Sequence, residues 1–359
     1  MMPRAVLDMT DRRLVWAMPD WVPQELEEAL PGGWELVVID EETDGSGDGI
    51  TRVAPSVLAA VAEAELYFGF GIPAELLEAG PGLKWVHSGA AGVGKSLSPR
   101  MLESPVIFTN SACVHAPPIA ETVLGMILFF FRGLDFAVEG QGRGEWLVDR
   151  FYAADAPIRE LPESTIGILG FGGIGSEVAR RVSSLGAHVI ALKRRIPKGA
   201  QHDLEPVSGG GSLSSDIELL HGRKGFERLL CESDVLVLTA PLTPETRDIM
   251  DGEAISKMKE GAILINVARG KLVDEEALVK ALQGGWLRGA GLDVFSEEPL
   301  PPGHPLWELK NVILTPHASA VTRGFWRRET DLIVGNMARF FDGAPLEEWE
   351  NVVDKRAGY

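Results

Sequence analysis

The amino-acid sequence predicts an α/β fold with two doubly wound parallel-sheet domains. Short apolar runs alternate with helical patterns along nearly the whole chain, which is typical of parallel sheets covered by helices. A length of 359 residues is sufficient for two domains that each bury a core. A glycine-rich turn at 170–175 stands between a predicted strand and a predicted helix, a pattern that doubly wound sheets use.

The first series of elements fills the first third of the chain. Runs bounded by Gly, Pro and acidic residues predict strands at 14–18, 35–39, 65–70, 84–87 and 106–109. Helices that contain proline in or near their first turn are predicted at 23–30, 55–64 and 73–79. A long apolar helix at about 118–139 follows, and we expect it to form the wall between the two domains.

The second series predicts a larger sheet. Its strands are expected at 165–169, 189–192, 235–239, 262–266, 290–294 and 312–315. Six strands with helices between most of them suit a complete doubly wound domain. We interpret the Gly/Ser stretch at 208–215 as a surface insertion, and an amphipathic helix is expected near 322–341.

Composition and charge exclude several classes of partner. Acidic residues outnumber basic ones by 52 to 34, and the formal net charge of −18 opposes general binding to nucleic acid or anionic membranes. The two cysteines, Cys113 and Cys231, cannot form a disulfide framework, and we expect no metal site. Charged residues interrupt the first 13 positions, and the longest apolar stretch is too short to span a bilayer. We therefore expect a cytoplasmic protein.

The glycine-rich turn predicts dinucleotide binding by a Rossmann domain. Gly170 permits a tight turn, Gly172 lets the backbone approach a pyrophosphate, and Gly175 lets the helix pack against the strand. The strand–turn–helix context favours this interpretation over a glycine turn that serves packing alone. The candidate cofactor-binding residues of the turn are Gly170, Phe171, Gly172, Gly173, Ile174 and Gly175.

Basic residues end the second strand of this series, where an NAD site would place an acid. Lys193, Arg194 and Arg195 could instead pair with the 2′-phosphate of NADP through charge-assisted hydrogen bonds. The sequence therefore favours NADP, with NAD as the weaker alternative. A solvated basic turn without a ligand is the other interpretation.

A second glycine-rich segment, at 89–96, matches the P-loop pattern of nucleoside triphosphatases at every specified position. Ser98 and Pro99 follow immediately, where a P-loop requires a long helix. No later strand before the dinucleotide domain ends in an Asp that could hold Mg²⁺. We therefore predict a turn whose N–H groups face a smaller anion, such as a carboxylate, in preference to ATP or GTP.

Three polar residues follow apolar strands late in the chain: Arg269, Glu298 and His317. The carboxyl ends of strands line the ligand crevice of a doubly wound sheet, so these side chains could converge beside a nicotinamide. Taken singly, each is also compatible with a surface Arg, a loop acid or a capped His.

The sequence resembles the D-isomer-specific 2-hydroxyacid dehydrogenase family, which includes glyoxylate/hydroxypyruvate reductases. The matching stretches are 109–121, 170–175, 240–243, 265–270, 290–300 and 315–322. The resemblance implies that Arg269 binds the carboxylate and carbonyl oxygen of a 2-keto acid. It implies that His317 is the acid/base, that Glu298 pairs with it, and that Asp293 holds the nicotinamide carboxamide. Further cofactor contacts are implied at Ala240, Pro241, Val267, Ala268, Arg269 and His317, and substrate contacts at Ala91, Gly92, Val93, Arg269 and His317.

The resemblance also implies the organisation of the chain. Residues 1–119 and 320–359 would form a flavodoxin-like substrate domain and residues 120–319 the cofactor domain, with the active site in the cleft between them. It implies a homodimer through the cofactor domain, for which 129–131 and 140–152 are candidate contacts. Where the family loop usually reads Gly-Val-Asp, this chain has Gly92, Val93 and Gly94, followed by Lys95.

The function expected on these grounds is NADPH-dependent reduction of a small 2-keto acid, such as glyoxylate or hydroxypyruvate, to the D-2-hydroxy acid. Two alternatives stay open. One is a corepressor-like protein of the same fold that senses the dinucleotide. The other is an enzyme similar to D-3-phosphoglycerate dehydrogenase.

Overall fold

The chain forms two compact units in a computed structural model that describes residues 2–42, 53–194 and 217–358. One unit, here called the discontinuous unit, comprises Met1–His115 and Val321–Tyr359. The other, the central unit, comprises Ala116–Ala320. Each contains a sheet whose ladders between strands are all parallel, with helices on its faces. The predicted α/β class with two parallel-sheet domains is confirmed.

The discontinuous unit has a five-stranded sheet in the order β2-β1-β3-β4-β5. The strands are β1 (Arg4–Asp8), β2 (Glu35–Val38), β3 (Leu66–Gly69), β4 (Trp85–Ser88) and β5 (Ile107–Asn110). Residues of β3 and β4 are buried along their whole length, as expected of strands covered on both faces.

Helices cover both faces of this sheet. They are α1 (Trp21–Ala29), α2 (Pro55–Val61), α3 (Ala74–Ala79), α4 (Pro99–Glu103) and, near the C-terminus, α12 (Phe325–Asp342). The apolar sides of α1 and α12 share one core cluster with β1 and β3, whereas α2 and α3 pack on the opposite face.

A fully buried polar network ties α12 to the sheet. His87 Nε2 lies 2.9 Å from Glu329 Oε1, and the Ser111 hydroxyl donates a hydrogen bond of 2.7 Å to Glu329 Oε2. The second ring nitrogen of His87 contacts Thr109 Oγ1 at 2.8 Å. Buried polar groups are costly unless they are paired, so this network specifies how α12 docks.

The central unit has a seven-stranded sheet in the order β12-β11-β10-β9-β6-β7-β8. The strands are β6 (Thr165–Leu169), β7 (His188–Leu192), β8 (Ile217–Leu220), β9 (Val235–Leu238), β10 (Ile263–Asn266), β11 (Gly289–Leu292) and β12 (Val312–Leu314). Because β6 lies between β7 and β9, the strand order reverses there, which is the point where doubly wound sheets bind ligands.

The helices on one face of this sheet pack in one hydrophobic core, and the helices on the opposite face pack in a second. The helices of the unit are α5 (Ala116–Phe131), α6 (Leu134–Arg143), α7 (Asp149–Tyr152), α8 (Gly173–Ser184), α9 (Gly222–Glu232), α10 (Gly252–Ser256) and α11 (Glu275–Gln283). Buried residues of α5 and α8 share one cluster, and those of α9, α10 and α11 share another. No helix in the described ranges is long and apolar enough to cross a membrane.

Several sequence predictions are wrong in detail. The first strand is β1, whereas Leu14–Trp16 forms a short 3-10 helix in which Leu14 is 93% exposed, so this apolar run has no sheet to join. The central sheet gains a seventh strand, β8, from only four residues. The long helix ends at Phe131 because Gly133 adopts a φ of +64°, and α6 then begins.

Further predictions concern the dimer contacts, two places outside the described residues, and the domain boundaries. Phe130 and Phe131 are buried within the central unit and Phe129 is half-buried, so of the candidate dimer contacts at 129–131 only Phe129 stays a prediction. Arg195 and the stretch 208–215 lie outside the described residues. The domain boundaries predicted at 119/120 and 319/320 stand beside unit boundaries at 115/116 and 320/321.

Candidate functional site

The glycine-rich turn leads from β6 directly into α8. Gly170 has a φ of +100°, and a Cβ there would lie 2.6 Å from the backbone of Ala240. A Cβ at Gly175 would lie 2.3 Å from the carbonyl oxygen of Gly170. At Gly172 no described atom comes within 4 Å of such a Cβ. The turn is therefore tight on its inner side and open on its outer side, where α8 presents its first N–H groups to an anion.

Lys193 and Arg194 follow β7 next to this turn. Leu192 pairs with Leu169 in register, so the residues after both strands emerge side by side. Lys193 is half-buried and Arg194 is exposed, as a contact with a 2′-phosphate requires. The third predicted base, Arg195, is not among the described residues.

A carboxylate that the sequence analysis missed lies near Arg194. The pKa of Glu245 is lowered mainly by a hydrogen bond from Thr243, and the Arg194 guanidinium lowers it further. Glu245 belongs to the loop that follows β9 and contains Ala240 and Pro241. Because Glu245 lies 51 residues further along the chain, in the loop after β9, only the strand order brings it near Arg194.

Hydrogen bonds within the loop after β10 hold Arg269 in place. Asn266 Nδ2 donates to the Arg269 carbonyl at 3.0 Å, and Asn266 Oδ1 accepts from Ala268 N at 3.1 Å. Val267 and Ala268 are buried, whereas Arg269 is half-buried and donates from Nη1 to the Ala268 carbonyl at 2.8 Å.

Asp293 organises the turn that carries His317. The carboxylate is fully buried and accepts hydrogen bonds from Thr315 Oγ1 at 2.5 Å, Ala318 N at 2.8 Å and Ser319 N at 3.1 Å, as well as from the Ser319 hydroxyl. These bonds hold His317 at a φ of +52°, in the left-handed region that non-glycine residues rarely adopt. A contact between Asp293 and a nicotinamide carboxamide stays a prediction.

His317 and Glu298 form a direct pair. His317 Nδ1 lies 2.7 Å from Glu298 Oε2, and both side chains are partly exposed. Glu298 Oε1 also accepts a hydrogen bond of 2.9 Å from Phe295 N, which fixes the carboxylate relative to β11. The pair orients the imidazole so that its other nitrogen, Nε2, points away from Glu298.

Strand register places Arg269 on the loop next to this pair. Asn266 of β10 is aligned with Leu292 of β11, which is aligned with Leu314 of β12, so the three loops leave one edge of the sheet together. Gly270 brings the first two loops into contact, because a Cβ there would lie 1.8 Å from the carbonyl carbon of Phe295. The edge thus combines a guanidinium, an imidazole and a carboxylate beside a turn suited to a pyrophosphate.

The predicted substrate loop, 91–93, follows β4 in the discontinuous unit. Ala91 and Gly92 are accessible to solvent, whereas Val93 is buried in the core. The chain continues into one 3-10 turn, Gly94–Ser96, and Ser96 is buried. A P-loop needs a long helix that exposes its Lys and Ser, so this geometry does not support ATP or GTP binding. Among the residues with described coordinates, no group of His, Cys, Asp or Glu could hold a metal ion.

Comparisons with known proteins agree with this arrangement. Residues 124–319 match the family described as D-isomer specific 2-hydroxyacid dehydrogenase, NAD binding domain. A glyoxylate reductase of Thermofilum pendens is 34% identical over 275 residues, which cover 76% of each chain.

Two solved structures are similar along the chain. A D-isomer specific 2-hydroxyacid dehydrogenase of Xanthobacter autotrophicus Py2, in complex with NADPH and MES, has a TM-score of 0.75 and 29% identity and covers 99% of both chains. An NADPH-dependent glyoxylate/hydroxypyruvate reductase of Sinorhizobium meliloti, in complex with NADP and sulfate, has a TM-score of 0.72 and 26% identity, covering 99% of this chain and 100% of that one. The resemblance inferred from the motifs is confirmed: the chain belongs to the D-isomer specific 2-hydroxyacid dehydrogenase family.

Proposed function

We propose that this protein is an NADPH-dependent dehydrogenase that reduces a small 2-keto acid, such as glyoxylate or hydroxypyruvate, to the D-2-hydroxy acid. The observation that carries the proposal is the His317–Glu298 pair, 2.7 Å apart, on loops beside Arg269 and at the same sheet edge as the glycine-rich turn. Two of the relatives described above, a glyoxylate reductase and a glyoxylate/hydroxypyruvate reductase, support this substrate class.

Each residue of the candidate site has its own role in the proposed reaction. The glycine-rich turn, 170–175, would hold the dinucleotide, whose reduced nicotinamide would supply the hydride when bound. Arg269 binds the substrate carboxylate through its planar guanidinium and polarises the carbonyl oxygen. His317 donates a proton to that oxygen, and Glu298 stabilises the positively charged imidazole that must carry it.

The units would have separate tasks. The central unit would bind the dinucleotide, supported by the match of 124–319 to an NAD binding domain and by the open outer side of Gly172. The discontinuous unit would bind the substrate through 91–93. Of the cofactor contacts, Ala240 lies against Gly170, while Val267 and Ala268 stand directly before Arg269.

The preference for NADP rests on Lys193 and Arg194 at the end of β7 and on the NADPH and NADP complexes of the two similar structures. A charge-assisted hydrogen bond contributes about 1.5–3 kcal/mol, which corresponds to roughly 10- to 150-fold in affinity. We therefore expect Arg194→Ala to raise the Kd for NADPH at least about tenfold and to leave that for NADH nearly unchanged. Equal losses for both coenzymes would contradict this assignment.

The catalytic assignment is tested with a panel of 2-keto acids and both coenzymes. His317→Ala should lower kcat by roughly 10²–10⁴-fold, the usual contribution of a positioned acid. Fluorescence titration should show a much smaller effect on NADPH binding, because His317 acts chiefly on the substrate carbonyl and is one of several expected cofactor contacts. A wild type that binds NADPH tightly and reduces no member of the panel would favour the corepressor-like protein that senses the dinucleotide. Preferential oxidation of 3-phosphoglycerate would favour an enzyme similar to D-3-phosphoglycerate dehydrogenase.

We further propose a homodimer that forms through 140–152. Trp146 and Tyr152 in this segment are 92% and 84% exposed, which is unusual for large aromatic side chains in a monomer. Glu139 anchors the segment by ion pairs with Arg150 and Lys310, which lower its pKa to about 2. Sedimentation velocity should show a dimer that Trp146→Glu dissociates, whereas the control Trp307→Glu, at another exposed tryptophan, should leave it intact.

A further inference from the structure

The loop that is proposed to bind the substrate has Gly94 where the resembling family usually has an Asp, so residue 94 offers no side chain that could hold the loop. A loop that presents backbone N–H groups to a ligand must be held in one conformation, since ordering it on binding would weaken the affinity. Other side chains must therefore hold 91–93 in this chain.

The residues on either side of the loop are tied to the end of β3 and to the segment after it. At its start, Gly89 N donates to the Gly69 carbonyl at 2.8 Å. At its end, Ile72 N donates to Ser96 Oγ at 3.0 Å. Ser96 is fully buried, and its own N–H donates to the Val93 carbonyl at 2.9 Å, so one residue closes the turn and links it to a distant segment.

The middle of the loop is tied to β5. Asn110 Nδ2 donates to the Ala91 carbonyl at 2.8 Å, and Asn110 is 5% exposed. The Val93 side chain is buried in the core cluster that also contains Ile72. These contacts hold the loop from the side that faces the core, while Ala91 and Gly92 stay accessible to solvent.

We propose that Ser96 and Asn110 are positioning residues that hold 91–93 in the conformation that binds the substrate carboxylate. The proposal rests on the function proposed above. It assigns to Ser96, the last residue of the P-loop-like pattern, a role as a buried hydrogen-bond acceptor, where a P-loop serine would face a nucleotide-bound metal.

The test compares Ser96→Ala with a matched control two residues away, Ser98→Ala. Ser98 also accepts one backbone N–H, from Met101 at 3.2 Å, but it does so as the N-cap of α4. For glyoxylate or hydroxypyruvate, whichever the wild type reduces better, Ser96→Ala should raise KM about tenfold, or about 1.4 kcal/mol. Its kcat and its Kd for NADPH should stay within about twofold of wild type, because the lost contact affects ground-state and transition-state binding alike.

Asn110→Ala provides a second variant with the same expected signature, should Ser96→Ala fold poorly. Amide hydrogen exchange should also become faster at 91–96 in either variant, whereas Ser98→Ala should accelerate exchange only in α4. A KM for Ser96→Ala and Asn110→Ala that matches the control would overturn the proposal while leaving the proposed function intact. A wild type without activity on any 2-keto acid would remove the proposed function, and this proposal with it.

Discussion

Replacement of Asp8 by Asn tests how strongly burial acts on a carboxyl group inside the discontinuous unit. Asp8 ends β1 and is 1% exposed. Its Oδ2 accepts a hydrogen bond of 2.7 Å from the Tyr67 hydroxyl, and Oδ1 has no partner within the described part of the chain. Burial raises the pKa of Asp8 to about 6, the Tyr67 hydrogen bond opposes this in part, and the nearby Glu41 charge adds to it.

The raised pKa of Asp8 determines the sign and the size of a pH effect on the free energy of unfolding. A pKa that increases from 3.8 in the unfolded chain to about 6 corresponds to about 3 kcal/mol. Because the folded chain binds this proton more tightly, the contribution is complete below about pH 3.8 and is lost as the pH rises through about 6. Asn cannot titrate, so Asp8→Asn lacks this contribution at every pH.

Urea denaturation followed by tryptophan fluorescence measures the effect. Between about pH 4.5 and pH 7.5, the free energy of unfolding of wild type relative to Asp8→Asn should fall by about 2 kcal/mol, since part of the change occurs below that range. Tyr67→Phe removes the bond that lowers the pKa of Asp8, so the same fall should move to higher pH. A difference between wild type and Asp8→Asn that stays constant across this range would refute the reasoning.

Further predictions concern single contacts in the central unit. Gly270→Ala places a Cβ 1.8 Å from a backbone carbonyl carbon and should cost at least about 3 kcal/mol of stability, whereas Gly252→Ala, whose Cβ would meet its nearest neighbour at 3.6 Å, should be nearly neutral in thermal denaturation. Arg288→Met leaves the buried Asp135 carboxylate without its 2.6 Å ion pair and should cost about 3–5 kcal/mol. Arg228→Met breaks exposed ion pairs and should change the melting temperature little; equal losses for the two arginines would contradict this.

Local sequence patterns were sufficient for the elements that build the dinucleotide-binding edge. The strand at 165–169 and the turn after it were predicted correctly because the apolar run, the spacing of the glycines and the helical pattern that follows all agree. The prediction at 14–18 failed because an apolar run indicates a strand only if a neighbouring strand lies beside it, and Leu14 has none. The four residues of β8 were too short a pattern to identify.

Contacts between distant residues account for what the sequence could not show at the site. Asp293 was predicted from resemblance as a cofactor contact, but its hydrogen bonds to 315–319 depend on the pairing of β11 with β12. Ser96 matched a nucleotide-binding pattern, and only its contact with Ile72, 24 residues away, shows that it is buried. Short-range patterns thus identify which residues reach the sheet edge, and the strand order decides what each one touches there.

The discontinuous unit has a consequence for how the protein is made. Its five strands all precede residue 116 in the chain, yet α12, which covers one face of that sheet, follows the whole of Ala116–Ala320. Until α12 is synthesised, His87 and Ser111 lack their partner Glu329, and the apolar surface that Phe325 and Ile333 will cover is exposed to water. The central unit can complete its fold during that interval. Nascent chains that stop before α12 should therefore contain one folded unit and one unfinished sheet, which chaperones and proteases would recognise.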